Sequence, residues 1–268
     1  MVITKTSSDL DFFLPFRRHA PSLANAQREI YADLDRLTSS TGVGLFNVLA
    51  FRGVFFGSPF AQSDHFQWFD QFEDWVRFTV DEKKEATKDG RNEEKYYVKR
   101  NCYGRTQKDR STKLLKGYWN QRELWNDMFN QPTQPTAEEV YQWLIGSDAG
   151  KTRFHNIGSL TALLICGDLI EAGVVPMPSP REFGELIFKV GKGAKDGMAK
   201  FDLVKKGANM EEICKAFISL DLALQHELTE EEKEAMGYNI IMLEHTLCKI
   251  KRLTSRGVSI HSIRSEIN

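Results

Sequence analysis

The most apolar run of the chain, LTALLICGDLIEAG at residues 160–173, constrains the fold more than any other stretch. Its apolar residues have helical spacing, so we expect a helix that lies in the core. An aspartate, Asp168, lies inside this run. A carboxylate among apolar neighbours is costly unless it is paired or faces a cavity. The run therefore predicts either a structural ion pair or a functional site at Asp168.

Apolar residues recur at helical spacing along most of the chain, and alternating β patterns are nearly absent. Three helix starts are marked by Thr136 before Glu139, by Ser179-Pro180 and by Thr229 before a run of glutamates. The sequence predicts an all-α fold. The expected helices cover 22–38, 43–56, 64–79, 120–130, 136–146, 159–173, 180–190, 209–224 and 229–253.

The 268 residues, of which 41% are apolar, are enough for one large domain over 1–268. The polar stretch 81–122 is the candidate seam if the domain has two lobes. The first residues do not have the pattern of a signal peptide, and no run approaches 18 apolar residues. The cysteines form no CxxC pair. We expect a cytoplasmic protein without a membrane span, a bound metal or a cofactor. The four cysteines are expected to be reduced: Cys102, Cys166, Cys214 and Cys248.

The near balance of 36 basic and 37 acidic residues hides a local asymmetry. Residues 91–122 hold ten Lys/Arg against three Asp/Glu, with tyrosines and a tryptophan between them. Such a surface neutralises phosphates and stacks on exposed bases. The alternative is a solvated loop whose aromatic residues pack back onto the fold.

A second nucleic-acid signal lies just before the apolar run. A helix at 138–146 is followed by the hairpin loop Phe154–Gly158 and by a helix from Ser159, so 136–173 has the order of a helix-hairpin-helix element. In such an element the loop amides and the new helix terminus face a DNA phosphate. Asn156 takes the place of the usual first glycine and tolerates its left-handed conformation. The predicted backbone contacts are Asn156, Ile157, Gly158 and Ser159, with Ile157 also anchoring the loop in the core; a plain turn between core helices is the alternative.

A third stretch, GKGAKDG at 191–197, alternates glycines with cations. Gly191 and Gly193 allow close backbone approach, while Lys192 and Lys195 supply charge, as a phosphate or pyrophosphate site requires. The alternative is a flexible basic loop. No GxxxxGK[ST] motif occurs in the chain.

Several stretches resemble motifs of one family and follow each other in the family's order. They are REIYADLDRLT (28–38), LFNVLAFRGVF (45–55), GDL (167–169), VGKGAKDG (190–197) and LEHTLCKIKR (243–252). The chain resembles the helical domain of 5-hydroxymethyluracil DNA kinases and the related glutamyl/putrescinyl-thymine pyrophosphorylases, or amino acid:DNA transferases, of phage thymine hypermodification. The resemblance implies a helical bundle like that of helix-hairpin-helix DNA glycosylases. This chain departs from the family's motifs at Ala50, Lys192, Asp196 and Lys249, and the last change removes an acid.

Because no ATP-binding motif is present, the resemblance implies the transferase and not the kinase. Such an enzyme displaces pyrophosphate from pyrophosphorylated 5-hydroxymethyluracil in double-stranded DNA with the amine of an amino acid or polyamine, after a pathway kinase has acted. Asp168 is the first candidate for general base or amine binder, and Asp35 is the second. The candidate pyrophosphate ligands are Gly191, Lys192, Gly193, Lys195, Arg52 and Arg36. For Arg36 a structural ion pair is an equal alternative.

Two rival functions fit the same residues. A DNA glycosylase acting on a modified pyrimidine would use Asp168 to activate water. A non-catalytic DNA-binding module would recruit a 5-hydroxymethyluracil DNA kinase and bind with steep salt dependence.

Overall fold

A computed structural model of the chain describes residues 17–78, 112–148 and 151–255. It divides into two compact units. The hairpin unit spans Pro21–Met177, and the second unit joins the described residues up to Ala20 with those from Pro178 onward. The chain therefore passes from one unit to the other between Ala20 and Pro21 and again between Met177 and Pro178. Of the expected seam at 81–122, residues 112–122 lie within the hairpin unit, and 81–111 lie outside the described residues together with Cys102.

In its described residues, the hairpin unit contains helices and one pair of two-residue strands. These strands, β1 (Ser147–Asp148) and β2 (Lys151–Thr152), are antiparallel, with Ser147 opposite Thr152. Residues 72–78 are helical, and a π-helical turn covers Phe51–Phe55. The remaining helices are α1 (Pro21–Glu29), α2 (Leu34–Leu37), α3 (Val43–Ala50), α4 (Thr112–Asn120), α5 (Leu124–Phe129), α6 (Ala137–Ile145) and α7 (Ser159–Glu171).

Aromatic rings form much of the core of the hairpin unit. Phe55 contacts Phe60 and Trp75 with ring centroids 5.3 and 4.9 Å apart. Five aromatic residues of the range 64–79 are buried: Phe66, Trp68, Phe69, Phe72 and Trp75. The sequence predicts a helix over this whole range, but of its described part only 72–78 is helical.

The second unit is built from helix pairs. A 3₁₀ turn covers Arg17–His19, and the helices are α8 (Pro180–Val190), α9 (Ala194–Lys200), α10 (Met210–Glu227), α11 (Glu230–Met236) and α12 (Ile240–Ser255). α8 packs against α10, and α9 packs against α12. A Cβ atom at Gly197 would overlap the Leu247 carbonyl, so this glycine sets how closely α9 approaches α12.

The all-α class and the three predicted helix starts are confirmed, since Thr136, Ser179 and Thr229 each form a capping box. Two further expected helices are interrupted: 22–38 is broken between Glu29 and Leu34, and 229–253 is broken at Gly237, whose φ is +61°. No helix in the described ranges is long and apolar enough to cross a membrane. Cys166, Cys214 and Cys248 are buried free thiols.

Candidate functional site

The hairpin loop has the backbone conformation that its sequence predicts. Asn156 lies in the left-handed region, with φ +66°. Ile157 is buried and holds the loop against the core. Gly158 is exposed and is the N-cap of α7, with φ −98° and ψ 177°. The loop therefore delivers the chain directly into the amino end of α7.

One of the backbone amides expected to bind a phosphate is used inside the loop. The Ile157 N–H donates to the Phe154 carbonyl at 3.1 Å, so it is used inside the loop, and its predicted part in binding a phosphate is corrected. The first intrahelical bond of α7 runs from the Ala162 N–H to the Gly158 carbonyl at 2.9 Å. The amides of Ser159 and the two residues after it therefore lack an acceptor within the helix.

No side chain caps this end of α7. Ser159 is the first helical residue, and the N-cap residue Gly158 has no side chain for that role. A Cβ atom built on Gly158 would meet nothing within 4 Å. Among the described residues, the space beside the N-cap of α7 is therefore open.

Two side chains at the carboxyl end of α4 hold the backbone of the hairpin loop. The Tyr118 hydroxyl donates to the His155 carbonyl at 2.7 Å, and Gln121 Nε2 donates to the Arg153 carbonyl at 2.6 Å. Gly53 makes room for this brace, because a Cβ atom there would lie 2.5 Å from the Tyr118 hydroxyl. The only sequence signal for this contact is a glycine within an otherwise bulky apolar helix.

The loop is also held from α6. Arg153 donates from Nη1 to the Trp143 carbonyl at 2.8 Å, and its own N–H donates to the Gly146 carbonyl at 2.8 Å. Phe154 is fully buried and packs edge-on against Trp143, with centroids 5.0 Å apart. Because both ends of the loop are fixed, its conformation is set before any ligand arrives.

Asp168 is paired inside the core of the hairpin unit. Arg52, on the π-helical turn, donates from Nε and Nη2 to the two carboxylate oxygens of Asp168 at 2.5 and 2.6 Å. The Tyr31 hydroxyl donates to Asp168 Oδ2 at 3.1 Å. Three stretches that the family resemblance singled out, 28–38, 45–55 and 167–169, therefore meet at one carboxylate.

The surroundings of this pair favour a structural role. The exposed fractions of the Arg52 and Asp168 side chains are 2% and 0%. The guanidinium carbon lies 4.5 Å from the ring centroid of Phe56 and 5.0 Å from that of Phe51. A cleft of about 30 Å³, bounded in part by Tyr31 and Asp168, has room for about one water molecule. The base expected at Asp168 and the pyrophosphate ligand expected at Arg52 are thus each other's partners.

Cys166 lies on α7 near this pair, and its environment disfavours a thiolate. Burial, followed by the charges of Asp168 and Glu138, raises the pKa of the thiol far above its ordinary value. The thiol therefore stays protonated at neutral pH and is not a nucleophile.

The second candidate acid and its neighbour lie at the surface. Asp35 is exposed in the first turn of α2. Arg36 donates from Nη2 to both carboxylate oxygens of Asp70 at 2.9 Å and lies 4.5 Å from the Trp68 ring centroid. Arg36 therefore forms the structural ion pair that was the alternative to pyrophosphate binding.

The glycine-lysine stretch belongs to the second unit and is more ordered than a flexible loop. Gly191 ends α8 with φ +70°, and Gly193 precedes α9 with φ +72°. Lys195 lies within α9, where Nζ donates to the Ala208 carbonyl at 3.1 Å and lies 4.6 Å from the Phe188 ring centroid. Lys192 is exposed. Of the two predicted cations, Lys192 is the one presented to solvent.

In the part of the chain that the structure describes, no group of three His, Cys, Asp or Glu side chains is arranged to hold a metal ion. No protein-family model, curated protein or solved structure matches this chain. The family resemblance therefore stays a prediction, and the geometry of the hairpin loop is the firmest guide to function.

Proposed function

We propose that the hairpin unit binds the sugar-phosphate backbone of double-stranded DNA and that a base of the bound DNA is then modified. The amino end of α7 carries the first part of this proposal. Gly158 is exposed there, no side chain of the described residues caps the helix, and the loop is fixed from two sides.

The physical basis is the attraction between a helix amino terminus and an anion. The unpaired first-turn amides and the helix dipole place partial positive charge where a phosphate oxygen accepts hydrogen bonds. These groups belong to the backbone and do not read base identity, so binding is independent of sequence. The braces from Tyr118 and Arg153 lower the cost of ordering the loop on binding.

The reaction proposed for the bound DNA rests on the family resemblance. It is transfer of an amino acid or polyamine amine onto pyrophosphorylated 5-hydroxymethyluracil, with release of pyrophosphate. Within this proposal the Arg52–Asp168 pair joins α7 to the π-helical turn and so positions the hairpin loop. Lys192 is the exposed cation of the proposed pyrophosphate site.

Substitution Gly158→Asp tests the DNA site directly. Aspartate is a preferred N-cap and complements the helix dipole, so the free energy of unfolding is expected to stay unchanged or to rise by about 0.5 kcal/mol. The same carboxylate would occupy the proposed phosphate position, so DNA affinity is expected to fall about tenfold or more. Fluorescence anisotropy with a labelled duplex at several salt concentrations measures both the affinity and the salt slope.

The matched control is Asn209→Asp, which adds the same charge at the N-cap of α10 and keeps a capping oxygen there. We expect this variant to bind DNA like the parent protein. An equal loss of affinity in both variants would indicate a net-charge effect and would remove the hairpin loop from the proposal.

Nucleoside mass spectrometry tests the reaction. The protein is incubated with pyrophosphorylated DNA and a mixture of amino acids and polyamines. A nucleoside in which the amine has replaced pyrophosphate, heavier than 5-hydroxymethyldeoxyuridine by the mass of the amine less one water, supports the transferase, whereas abasic sites in 5-hydroxymethyluracil DNA support the glycosylase. DNA binding without either product supports the non-catalytic module.

A further inference from the structure

The hairpin unit contains a cavity that is larger than the cleft beside Asp168 and that the proposed phosphate contact does not use. Its volume is about 380 Å³, and it lies between the residues that precede α3 and the turn that joins α4 to α5. This volume is within the range of about 300–1,000 Å³ that small-molecule sites occupy. The cavity is therefore large enough for a ligand and not merely for water.

One wall of the cavity is a stacked Trp–Arg pair. The guanidinium carbon of Arg122 lies 4.4 Å from the Trp119 ring centroid, and Nη1 donates to the Trp119 carbonyl at 3.1 Å. Phe46 supports the indole edge-on, with centroids 5.2 Å apart. The Arg122 side chain keeps 27% of its surface exposed. A fixed guanidinium plane with an exposed face is a surface on which a planar aromatic ring stacks.

The rest of the cavity lining offers both donors and acceptors. The hydroxyls of Ser40 and Thr41 and the amide of Gln71 do both, and the Glu123 carboxylate accepts. Nucleobase edges likewise combine donors and acceptors around a planar ring. An aliphatic ligand would make no use of the stacked pair, so the lining favours an aromatic one.

The cavity lies beside the hairpin loop. Tyr118 and Gln121 hold the loop carbonyls, and the very next residues, Trp119 and Arg122, line the cavity. Tyr118 and Trp119 are consecutive residues of α4, and Gln121 and Arg122 are consecutive residues of the turn after it, so one short segment contacts both the hairpin loop and the cavity.

We propose that this cavity binds a single nucleotide, with its base stacked on the Arg122 guanidinium and its edge contacted by Gln71 and the hydroxyls. The nucleotide comes either from the bound DNA, as an unpaired or extruded residue, or from free mononucleotide in solution. The first source rests on the DNA binding proposed above. The second source does not depend on it.

Two labelled duplexes distinguish the cavity from the backbone contact. One is fully paired, and the other is identical except for one unpaired thymidine. We expect the protein to bind the duplex with the unpaired thymidine about tenfold more tightly, which is within the range measured for stacking of one base on an aromatic side chain. Calorimetry with thymidine monophosphate tests the free nucleotide.

Three variants test which side chains of the cavity contact the base. Arg122→Gln and Arg122→Lys both remove the stacked plane, and Lys keeps the charge, so both are expected to lose the preference for the unpaired thymidine while fully paired DNA binds within about threefold of the parent affinity. Gln71→Ala changes an exposed side chain at the cavity and is expected to lower the preference without affecting folding. Arg77→Gln, at a side chain that is 73% exposed and outside the cavity lining, is the matched control and is expected to keep it.

Each outcome decides a separate claim. Equal affinity for both duplexes, together with no binding of thymidine monophosphate, would overturn the nucleotide site even where paired DNA binds. A preference that survives in both Arg122 variants and in Gln71→Ala would overturn the assignment to this cavity. If neither duplex binds, the proposed DNA contact fails, and saturable thymidine monophosphate binding that Arg122→Gln abolishes would still support the cavity.

Discussion

Two Arg–Asp pairs lie in different environments of the hairpin unit. Arg52 and Asp168 are enclosed, whereas the Arg36 and Asp70 side chains are 42% and 65% exposed. An exposed pair is screened by water and contributes about 0–1 kcal/mol. In a buried pair, removal of one partner leaves an uncompensated charge, which costs about 3–5 kcal/mol. Burial therefore decides what each pair does for stability.

We expect Asp168→Ala to lower the free energy of unfolding by about 3–5 kcal/mol, because the Arg52 charge would remain in the core without its counterion. Asp70→Ala is the matched control and is expected to cost at most about 1 kcal/mol. Urea unfolding followed by circular dichroism measures both changes.

A double variant tests whether the loss of stability comes from an unpaired buried charge or from the lost hydrogen bonds of the pair. Arg52→Leu combined with Asp168→Leu removes both charges and is expected to be more stable than Asp168→Ala alone. A double variant that is less stable than the single variant would indicate that the pair contributes through its hydrogen bonds and not through mutual neutralisation.

At the residue scale the sequence predicts that Asp168 needs a partner, but it does not identify Arg52. The two residues are separated by 116 positions, and only the fold brings them together. The same holds for Tyr118 and the His155 carbonyl, because a backbone acceptor leaves no mark in the side-chain sequence. The left-handed Asn156 could be predicted, since that conformation follows from local sterics.

Individual helix starts depend on short-range hydrogen bonds and are predictable for that reason. The capping boxes of α6, α8 and α11 place Glu139, Glu182 and Glu232 on the N-cap backbone N–H groups. In each case the hydrogen bond to the backbone of the N-cap residue is the largest cause of a lowered pKa, followed by the bond to its hydroxyl. The charged form of each glutamate is therefore favoured by folding.

These lowered pKa values predict a loss of stability in acid. A carboxyl whose folded pKa lies below its unfolded pKa stabilises the fold above the unfolded value of about 4.5 and loses that contribution as the pH falls through the folded pKa. A triple Glu→Gln variant at 139, 182 and 232 keeps a capping side chain that does not titrate. We expect its unfolding free energy to change less between pH 7 and pH 3 than that of the parent, as measured by urea unfolding.

The control for this experiment is a triple Glu→Gln variant at exposed glutamates outside the capping boxes, namely Glu73, Glu231 and Glu234. It is expected to keep the pH dependence of the parent. If both triple variants flatten the dependence equally, the overall charge and not the capping boxes explains the acid sensitivity.

Elements that depend on long-range packing are the ones that sequence periodicity misses. The glycine content of 191–197 is typical of a loop, yet α9 forms there because Gly197 lets the helix lie against the Leu247 backbone. Residues 64–71 have helical spacing of aromatic residues without forming a helix. Their burial satisfies the same apolar side chains, so the pattern indicates the core and not the secondary structure.

For the molecule as a whole, the division into two units bears on whether the hairpin unit can fold alone. The hairpin unit is one continuous segment, Pro21–Met177, and it contains the hairpin loop, the Arg52–Asp168 pair and the larger cavity. The second unit joins two separate stretches of the chain. A continuous segment with its own core is expected to fold without the remainder.

We therefore expect a fragment of residues 21–177 to unfold cooperatively in urea and to bind duplex DNA with a Kd within about threefold of that of the full chain. Its slope of log affinity against log salt should match that of the full chain, because each phosphate contact contributes about 0.9 to that slope and the proposed contact lies within the fragment. A folded fragment with a much shallower slope would place phosphate contacts in the second unit, where Lys192 is exposed. In that case both units would have to engage the DNA, and Lys192→Gln in the full chain would reproduce part of the loss.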